Sequence, residues 1–518
     1  MNAVPMPSLA TPDIPINLSQ SLLDAFDPLL FDANSSAVAD RLHEYLADAS
    51  IRGLALTNPA ILAKEARALM VEDSGYPTFD AKRLEAILDL YIRTGIQVHS
   101  AGSMGRQFSG VIPLSAVIDF VSSVVNQPSS FYEAAQLPNV AERIMADELN
   151  QFIGWPGGSF AMVTTSGGSL ANLTALLAAR NRAFPEIWEH GGPAPGRQDR
   201  PGRPAIAVSE EAHYSVSRAA GVMGIGAEQI VRLPVNSRHQ ISVERADATL
   251  AAAERRNLSV FCIVASAGTT STGAFDPIGE LADLARERDS WLHVDGAHGA
   301  SLLTSDRLRG KLTGIEKADS LTWDAHKMMF VPPPCTMLFY RNRADSLGAF
   351  RQHASYVFDE EKDVYTELDS GDKNFECTKR PMIMPLWALW AMYGRSLFAE
   401  KIEYLCQLTQ HAHQAILADP DFEELHHPEA NILCFRYRPA NLDAKSVHRL
   451  QLAIRNQIKL QGKFFISKVD IAGIAALRVV MMNHQTTAEH FAMLLDEIKE
   501  TGSALLSAEA IYEQRPEE

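Results

Sequence analysis

The chain has 518 residues, enough for a large core and more than one domain, and its 46% hydrophobic and 21% charged content is that of an ordinary globular protein. A formal net charge of −16 disfavours nucleic acid or an anionic membrane surface as a partner. The five cysteines (Cys262, Cys335, Cys377, Cys406 and Cys434) are scattered and show no CxxC spacing, which fits a reducing compartment and argues against a metal site of the zinc type.

Residues Met1 to Pro15 are proline-containing and nearly uncharged, and read as a flexible arm or a segment that wraps a partner subunit. No Lys or Arg precedes Arg41, so the start has the character of neither a signal peptide nor a transit peptide. Between Leu18 and about Gly95 the spacing predicts helices over Ala37–Leu46, Pro59–Met70 and Ala81–Tyr91, the last starting near Asp80. A further helix is expected over Leu114–Val125, inside a Gly- and Ser-rich stretch from His99 to Phe131.

Strand–helix alternation follows, the pattern of an α/β domain with a mostly parallel sheet. Phe160–Thr164 reads as a strand and Ser169–Arg182 as a helix; Pro185–Pro204 is Gly- and Pro-rich and reads as a surface excursion. Short buried strands are expected at Ala205–Val208, Ile230–Leu233, Phe261–Ala265, Trp291–Val294 and Ser320–Trp323, with a helix over Pro277–Glu287. A charged stretch without period, Arg351–Arg380, reads as a lid or binding loop. The most apolar run, Pro381–Tyr393, is too short to span a bilayer, and a cytoplasmic protein is expected. A helix over Pro385–Gln410 opens a C-terminal domain with strands Ile432–Tyr437, Phe464–Val469 and Ala475–Met481 and a last helix, Thr487–Glu500.

Five short stretches can carry chemistry. Thr164-Thr-Ser-Gly-Gly-Ser-Leu-Ala-Asn172 ends a strand and opens a helix, so its free N–H groups can hold an anion, helped by the hydroxyls of Ser166 and Ser169. A plain strand–helix turn with a serine cap is an equal reading of that stretch alone. It lacks the Gly-Lys-Ser/Thr of a P-loop and the GxGxxG of a dinucleotide site. His213 follows a strand and can stack on an aromatic ring, although any single loop histidine is more often unremarkable. Thr269 and Thr270 end the next strand. Asp295 closes an apolar strand and needs a cation or several donors, and Ala297 is small enough to lie under a flat ring. Lys327 sits in Asp-Ala-His-Lys beside Met328, Met329 and Phe330, where desolvation favours a nucleophilic amine; an exposed turn lysine is the bland alternative. Together the pieces match the needs of pyridoxal phosphate: an amine for its aldehyde, an acid for its ring nitrogen and donors for its phosphate. All lie in order at the C-terminal ends of successive strands, where open α/β sheets bind ligands.

The phrases TSGGSLANL, SEEAHYSV, AGTTSTGAFDPI, WLHVDGAHGASLL, SLTWDAHKMM, HASYVFDEEKDVYTELDSGDKNFECTKR and ALRVVMMN are, as a set, highly specific. Over roughly His99 to Glu500 the chain resembles the group II pyridoxal-phosphate-dependent amino-acid decarboxylases, of the glutamate and cysteine-sulfinate type. That resemblance implies an α/β fold of the aspartate aminotransferase-like kind (fold type I), a mostly parallel central sheet with a helical N-terminal segment and a small α+β C-terminal domain. The implied division is 1–98, a helical segment wrapping the dimer; 99–384, the cofactor domain with a mobile loop at 351–380; and 385–518, the small domain. It implies Lys327 as the Schiff-base lysine, Asp295 as partner of the ring nitrogen and His213 as the stacking residue. Ser166, Gly167 and Thr322 would serve the phosphate, with Gly168, Asn172, Thr270, Ala297 and His326 also around the cofactor. Tyr356 would be the proton donor on the mobile loop. Arg478 would hold the substrate α-carboxylate, with Gln107, Ser109 and His298 around its side chain.

The family's usual Ala-Ala-aromatic after the strand-end acid is here Gly296, Ala297 and His298, its Asn-Pro-His-Lys is Asp324-Ala-His-Lys, and PPPC precedes the next strand; these departures lie beside the substrate. The implied activity is α-decarboxylation of an L-amino acid, most readily an acidic one, by a cytoplasmic homodimer that binds no metal, nucleic acid or membrane. The alternatives are decarboxylation of diaminobutyrate or another amino acid, or decarboxylation-dependent oxidative deamination to an aldehyde.

Overall fold

The protein is described from a computed structural model, over residues 19–71, 78–191, 201–350, 366–376, 378–439 and 442–513. The N-terminal arm, Tyr356 and most of the expected lid therefore lie outside the described residues. The chain divides into two units, Met1–Ser50 with Leu54–Gln97, and Ile51–Gly53 with Val98–Glu518.

In the first unit four helices, Gln20–Ala25, Pro28–Ala47, Pro59–Ala68 and Ala81–Ile92, accompany a two-residue antiparallel pair, β1 (Leu54–Ala55) and β2 (Gly95–Ile96). Each helix start is written locally. Ser19, Asp27, Asn58 and Asp80 accept a backbone N–H of the first turn, and proline fills the first helical position twice. None of these helices has a fully buried residue, and Phe26 and Tyr91 are more than 80% exposed.

The second unit is built on a seven-stranded sheet of β3 (Ala161–Thr165), β4 (Arg203–Ser209), β5 (Ile230–Leu233), β6 (Leu258–Ser266), β7 (Trp291–Asp295), β8 (Ser320–Asp324) and β9 (Thr336–Tyr340). The order is β3-β9-β8-β7-β6-β4-β5, with only β9 antiparallel to its neighbours. All nine residues of β6 are buried, as expected of a strand covered on both faces. Its alternate residues divide between two cores. Ile263 and Ala265 face one that includes Leu281 and Leu302, whereas Cys262 and Val264 face one built on the helices Gly168–Ala183 and Ser215–Val222. The parallel strands leave their C-terminal ends, and the turns after them, on one edge.

A second, antiparallel sheet has the order β10-β11-β13-β12, from β10 (Phe422–Glu424), β11 (Ile432–Tyr437), β12 (Ser467–Ile471) and β13 (Ile474–Val480). β12 and β13 form a hairpin whose two turn residues, Ala472 and Gly473, both have positive φ, the form that matches strand twist. The expected strand Phe464–Val469 is displaced. Residues up to Phe465 pair instead with the chain at 102–104, through Phe465 N to Gly102 O (2.9 Å) and Met104 N to Phe465 O (2.9 Å). The expected helix Pro385–Gln410 runs from Met384 to Ala418 and is broken at Gly394, whose φ of 64° is not helical. The last helix runs on to Glu513. No helix among the described residues is long and apolar enough to cross a membrane.

Candidate active site

The C-terminal ends of β3, β4, β6, β7 and β8 converge on a cavity of about 440 Å³. Ser166, Gly167, Gly168, Asn172, His213, Thr270, Asp295, Ala297, His298, His326 and Lys327 all line it, from segments spread over more than 160 positions of sequence. The turn after β3 is a tight fit. Gly167 has φ 148°, and a Cβ at Gly168 would lie 3.0 Å from Asp324 Oδ1 and 3.3 Å from Ala297 Cβ. The helix Gly168–Ala183 starts here, and Ser166 N–H donates to an oxygen of the Glu376 carboxylate at 3.3 Å, so this turn already accepts an anionic oxygen.

One amide organises the floor of the cavity. Asn172 is 1% exposed; its Nδ2 donates to Asp295 Oδ2 (2.8 Å) and Ser215 Oγ (3.0 Å). Its Oδ1 accepts from Thr322 Oγ1 (2.8 Å) and meets His293 Nε2 at 3.0 Å. The proton positions follow from the donors. Trp291 Nε1–H can only donate, and it does so to Ser320 Oγ (2.8 Å). Asn172 Oδ1 can only accept, so His293 carries its hydrogen on Nε2, and its bare Nδ1 takes the proton of the Ser320 hydroxyl (2.8 Å). Burial holds this imidazole neutral, pushing its pKa down to about 4. The second oxygen of Asp295 accepts Ala297 N–H (3.2 Å).

The same amide reaches His213 through Ser215, whose Oγ lies 2.9 Å from His213 Nδ1; Ser215 N–H also donates to Nδ1, at 3.3 Å. Nδ1 is thus an acceptor, leaving Nε2 as the N–H of the neutral ring. Burial lowers the His213 pKa, against an upward pull from Asp295.

Lys327 lies one turn after β8. Its neighbours Met328, Met329 and Phe330 are fully buried, and its Nζ is 3.0 Å from Asp324 Oδ2. Asp324 also accepts Thr336 Oγ1–H (2.6 Å) and lies 3.5 Å from His326 Nε2. The sequence reading assigned Asp324 no role; its only signal was a carboxylate three residues before the lysine, the spacing of one helical turn.

Three expected residues stand elsewhere. Thr322, expected at the phosphate, is fully buried with its hydroxyl donated to Asn172, and does not line the cavity. Gln107 and Ser109 do not line the cavity; each has a buried polar atom, Nε2 and Oγ, without a partner among the described residues. Arg478, on β13, is 6% exposed and comes to the cavity's edge: its Nε donates to the carbonyl of Ser271 (2.9 Å), next to Thr270. His298 is held by Asn431, whose Nδ2 donates to Met481 O (2.8 Å), so its Oδ1 accepts His298 Nε2–H (2.8 Å). Burial pushes His298 down to about 3. Tyr356 lies outside the described residues.

The cavity's donor set fits a flat, phosphorylated aldehyde: an amine, a carboxylate held by an amide, an imidazole, a small Ala297 and a glycine turn whose N–H groups face an anion.

Comparison with known proteins agrees. Residues 82–438 match the family model described as the pyridoxal-dependent decarboxylase conserved domain. The chain is 29% identical over 447 residues to human "Acidic amino acid decarboxylase GADL1", covering 84% of this chain and 83% of that protein. The bovine protein of the same name is 28% identical over 442 residues, covering 83% and 82%. Among solved structures, mouse CSAD superposes with a TM-score of 0.84 at 24% identity, covering 92% of this chain and 99% of that one. The tryptophan decarboxylase of Catharanthus roseus, solved with L-tryptophan, gives 0.82 at 20% identity, with coverage of 92% and 99%. The shared fold therefore spans enzymes whose substrates differ.

Proposed function

The chain belongs to the family of pyridoxal-dependent decarboxylases, and from that premise we propose that it releases the α-carboxyl group of an acidic L-amino acid as CO₂, leaving the amine. Its cofactor is pyridoxal 5′-phosphate, which when bound supplies a sink for the electron pair left at Cα. Lys327 would hold the cofactor through its amine, and the turn Ser166–Gly168 its phosphate. Asp295 would keep a proton on the ring nitrogen, because Asn172 and Ala297 N–H fix both of its oxygens. His213, braced through Ser215, would cover the ring. His326 lies 3.5 Å from the Asp324 carboxylate that pairs with Lys327, and would act beside that amine.

Arg478 would take the α-carboxylate and fix the breaking bond perpendicular to the ring. His298 would wall the substrate side. Tyr356, outside the described residues, would return a proton to Cα.

The observation that carries this reading is the Asn172 hub, which ties the acid and the imidazole together on the cavity that Lys327 enters. The acidic substrate is supported by the name of the human and bovine relatives.

A homodimer is supported by the first unit's helices, which leave apolar residues such as Phe26 and Leu29 about 80% exposed; light scattering at micromolar concentration tests it. Residues 99–384 would form the cofactor domain and 385–518 the small domain. Four free, buried cysteines (Cys262, Cys335, Cys406 and Cys434) suit a cytoplasmic setting.

The deciding experiment incubates the cofactor-loaded protein with a panel of acidic, basic, neutral and aromatic L-amino acids, with CO₂ measured and products identified by mass spectrometry. Aspartate, glutamate or cysteine sulfinate should be the best substrate. Turnover confined to basic or aromatic members refutes the acidic class, and aldehyde with peroxide in place of amine refutes simple decarboxylation.

A further inference from the structure

Around Arg478 the chain gathers positive charge without matching acids. Met104 N–H and Gly105 O tie the segment before Arg106 to the second sheet: Met104 N–H donates to Phe465 O (2.9 Å), while Gly105 O accepts the Ser467 hydroxyl and, at 3.5 Å, Arg478 Nη1. Arg106 leaves this anchored strip into solvent. Arg455 is half-buried on the helix Ala444–Gln461, which packs on β13, the strand that carries Arg478. Arg455 Nε and Arg478 Nη2 are buried and have no hydrogen-bond partner among the described residues. Among the described residues none of the three guanidiniums is in an ion pair with a carboxylate, although the whole chain carries 63 acids to 47 Lys and Arg. Burial first, and then the charge of Arg106, holds both Arg455 and Arg478 below the usual arginine range. Three like charges kept together, with buried donors to spare, are stabilised by an anion that supplies acceptors.

We propose that Arg106 and Arg455, beside Arg478, are the residues that recognise the acidic side chain of the substrate. This rests on the acidic-substrate reading above and assigns its specificity. With the α-carboxylate on Arg478, the distal carboxylate or sulfinate lies against Arg106, the exposed guanidinium of the three. Arg455 is a positioning residue that adds charge behind it.

The test uses the cofactor-loaded, full-length protein and the variants Arg106→Gln, Arg106→Lys, Arg455→Gln and Arg455→Lys. Steady-state constants are measured for the best acidic substrate of the panel and for its amide analogue, asparagine or glutamine. Binding of glutarate or succinate, which have two acids and no amine, is measured by calorimetry. Arg106→Gln should raise KM for the acid about 10- to 100-fold with kcat within about twofold. It should leave the amide analogue unchanged and weaken the diacid to match, with Arg106→Lys restoring most of the loss. Arg455→Gln should act in the same direction by less.

An acidic KM unaltered in both glutamine variants, or raised equally for acid and amide, refutes Arg106 and Arg455 as the readers while leaving the acidic substrate standing. A wild type that takes no acidic amino acid refutes the acidic class itself. Unchanged thermal midpoints exclude misfolding; if Arg455→Gln misfolds, the Arg106 pair and the diacid titration still decide.

Discussion

Replacing Asn172 by Leu removes four polar contacts while keeping nearly the same volume at a site 1% exposed. Two of the stranded groups keep another partner: Ser215 retains His213, and Thr322 Oγ1 still lies 3.5 Å from His293 Nε2. His293 Nε2–H loses its acceptor at 3.0 Å and keeps only that long contact with Thr322, while Asp295 Oδ2 loses its amide donor outright. A stranded buried group costs about 1–3 kcal/mol, and the Asp295 carboxylate, half-buried on the cavity, less than a fully buried charge would, so the Leu variant should lose about 2–4 kcal/mol. That is a large share of the roughly 5–15 kcal/mol that holds a typical domain together.

The loss is functional too, because Asp295 is the carboxylate that would hold the proton on the ring nitrogen. A displacement of about 1 Å at such a group costs about 100-fold in turnover. Asn172→Asp separates the two effects. It keeps an oxygen for His293 and Thr322 but sets a carboxylate 2.8 Å from Asp295 Oδ2, where the amide nitrogen stood. Two acids that close cannot both ionise, so one carboxyl takes up a proton. Cofactor affinity in the Asp variant should therefore depend on pH across the carboxylate-to-neutral range, whereas the Leu variant should be weak at every pH.

Urea unfolding gives the stability change, and titration of the visible absorbance of the bound cofactor gives the affinity. A Leu variant with the wild-type urea midpoint and cofactor affinity, or an Asp variant flat with pH, would refute the hub.

Lys327→Ala should abolish turnover, and borohydride treatment of the wild type should attach the cofactor to the peptide containing Lys327; a label on any other lysine overturns the assignment. Lys379→Met should cost about 3–5 kcal/mol, because Lys379 is 1% exposed and pairs at 3.1 Å with Glu142, which is buried under β3 and accepts Thr164 N–H and Oγ1–H. Adding Glu142→Gln should return part of that loss in the same urea assay, and a neutral single variant would contradict the pairing.

Burial depresses four histidines from 6.5, His99, His293 and His426 to about 4 and His298 to about 3. The unfolded chain binds these protons first, so the contribution to stability is complete above pH 6.5 and is lost as pH falls toward those values. The urea midpoint should thus drop steadily from pH 7 to pH 4, with a shallower slope in His293→Gln; a flat profile down to pH 5 would show that these imidazoles are not held neutral.

Read alone, the sequence determined the pieces whose chemistry is local. The apolar strands, the glycine turn after β3, the acid closing β7 and the lysine after β8 are each written within ten residues, and their order along the chain implied a parallel sheet with its ligand at the strand ends. Helix starts were equally legible, as at Asp80, because a cap acts on N–H groups two or three residues away. Contacts between distant segments were not. Asn172 was expected near the cofactor, but its role as a hub depends on Asp295, His293, Thr322 and Ser215, up to 150 residues away.

The same holds for Thr322, whose hydroxyl turned out to face Asn172, and for the strand expected at Phe464, which pairs with residues 102–104 instead. Arg106 carries no local mark at all. Its neighbours in charge, Arg455 and Arg478, are brought to it by the pairing of Gly105 with β12 and β13. Hydrogen-bond partners and the electrostatic company of a charge are fixed by which surfaces meet in the folded chain, and a linear pattern encodes only the elements that do the meeting.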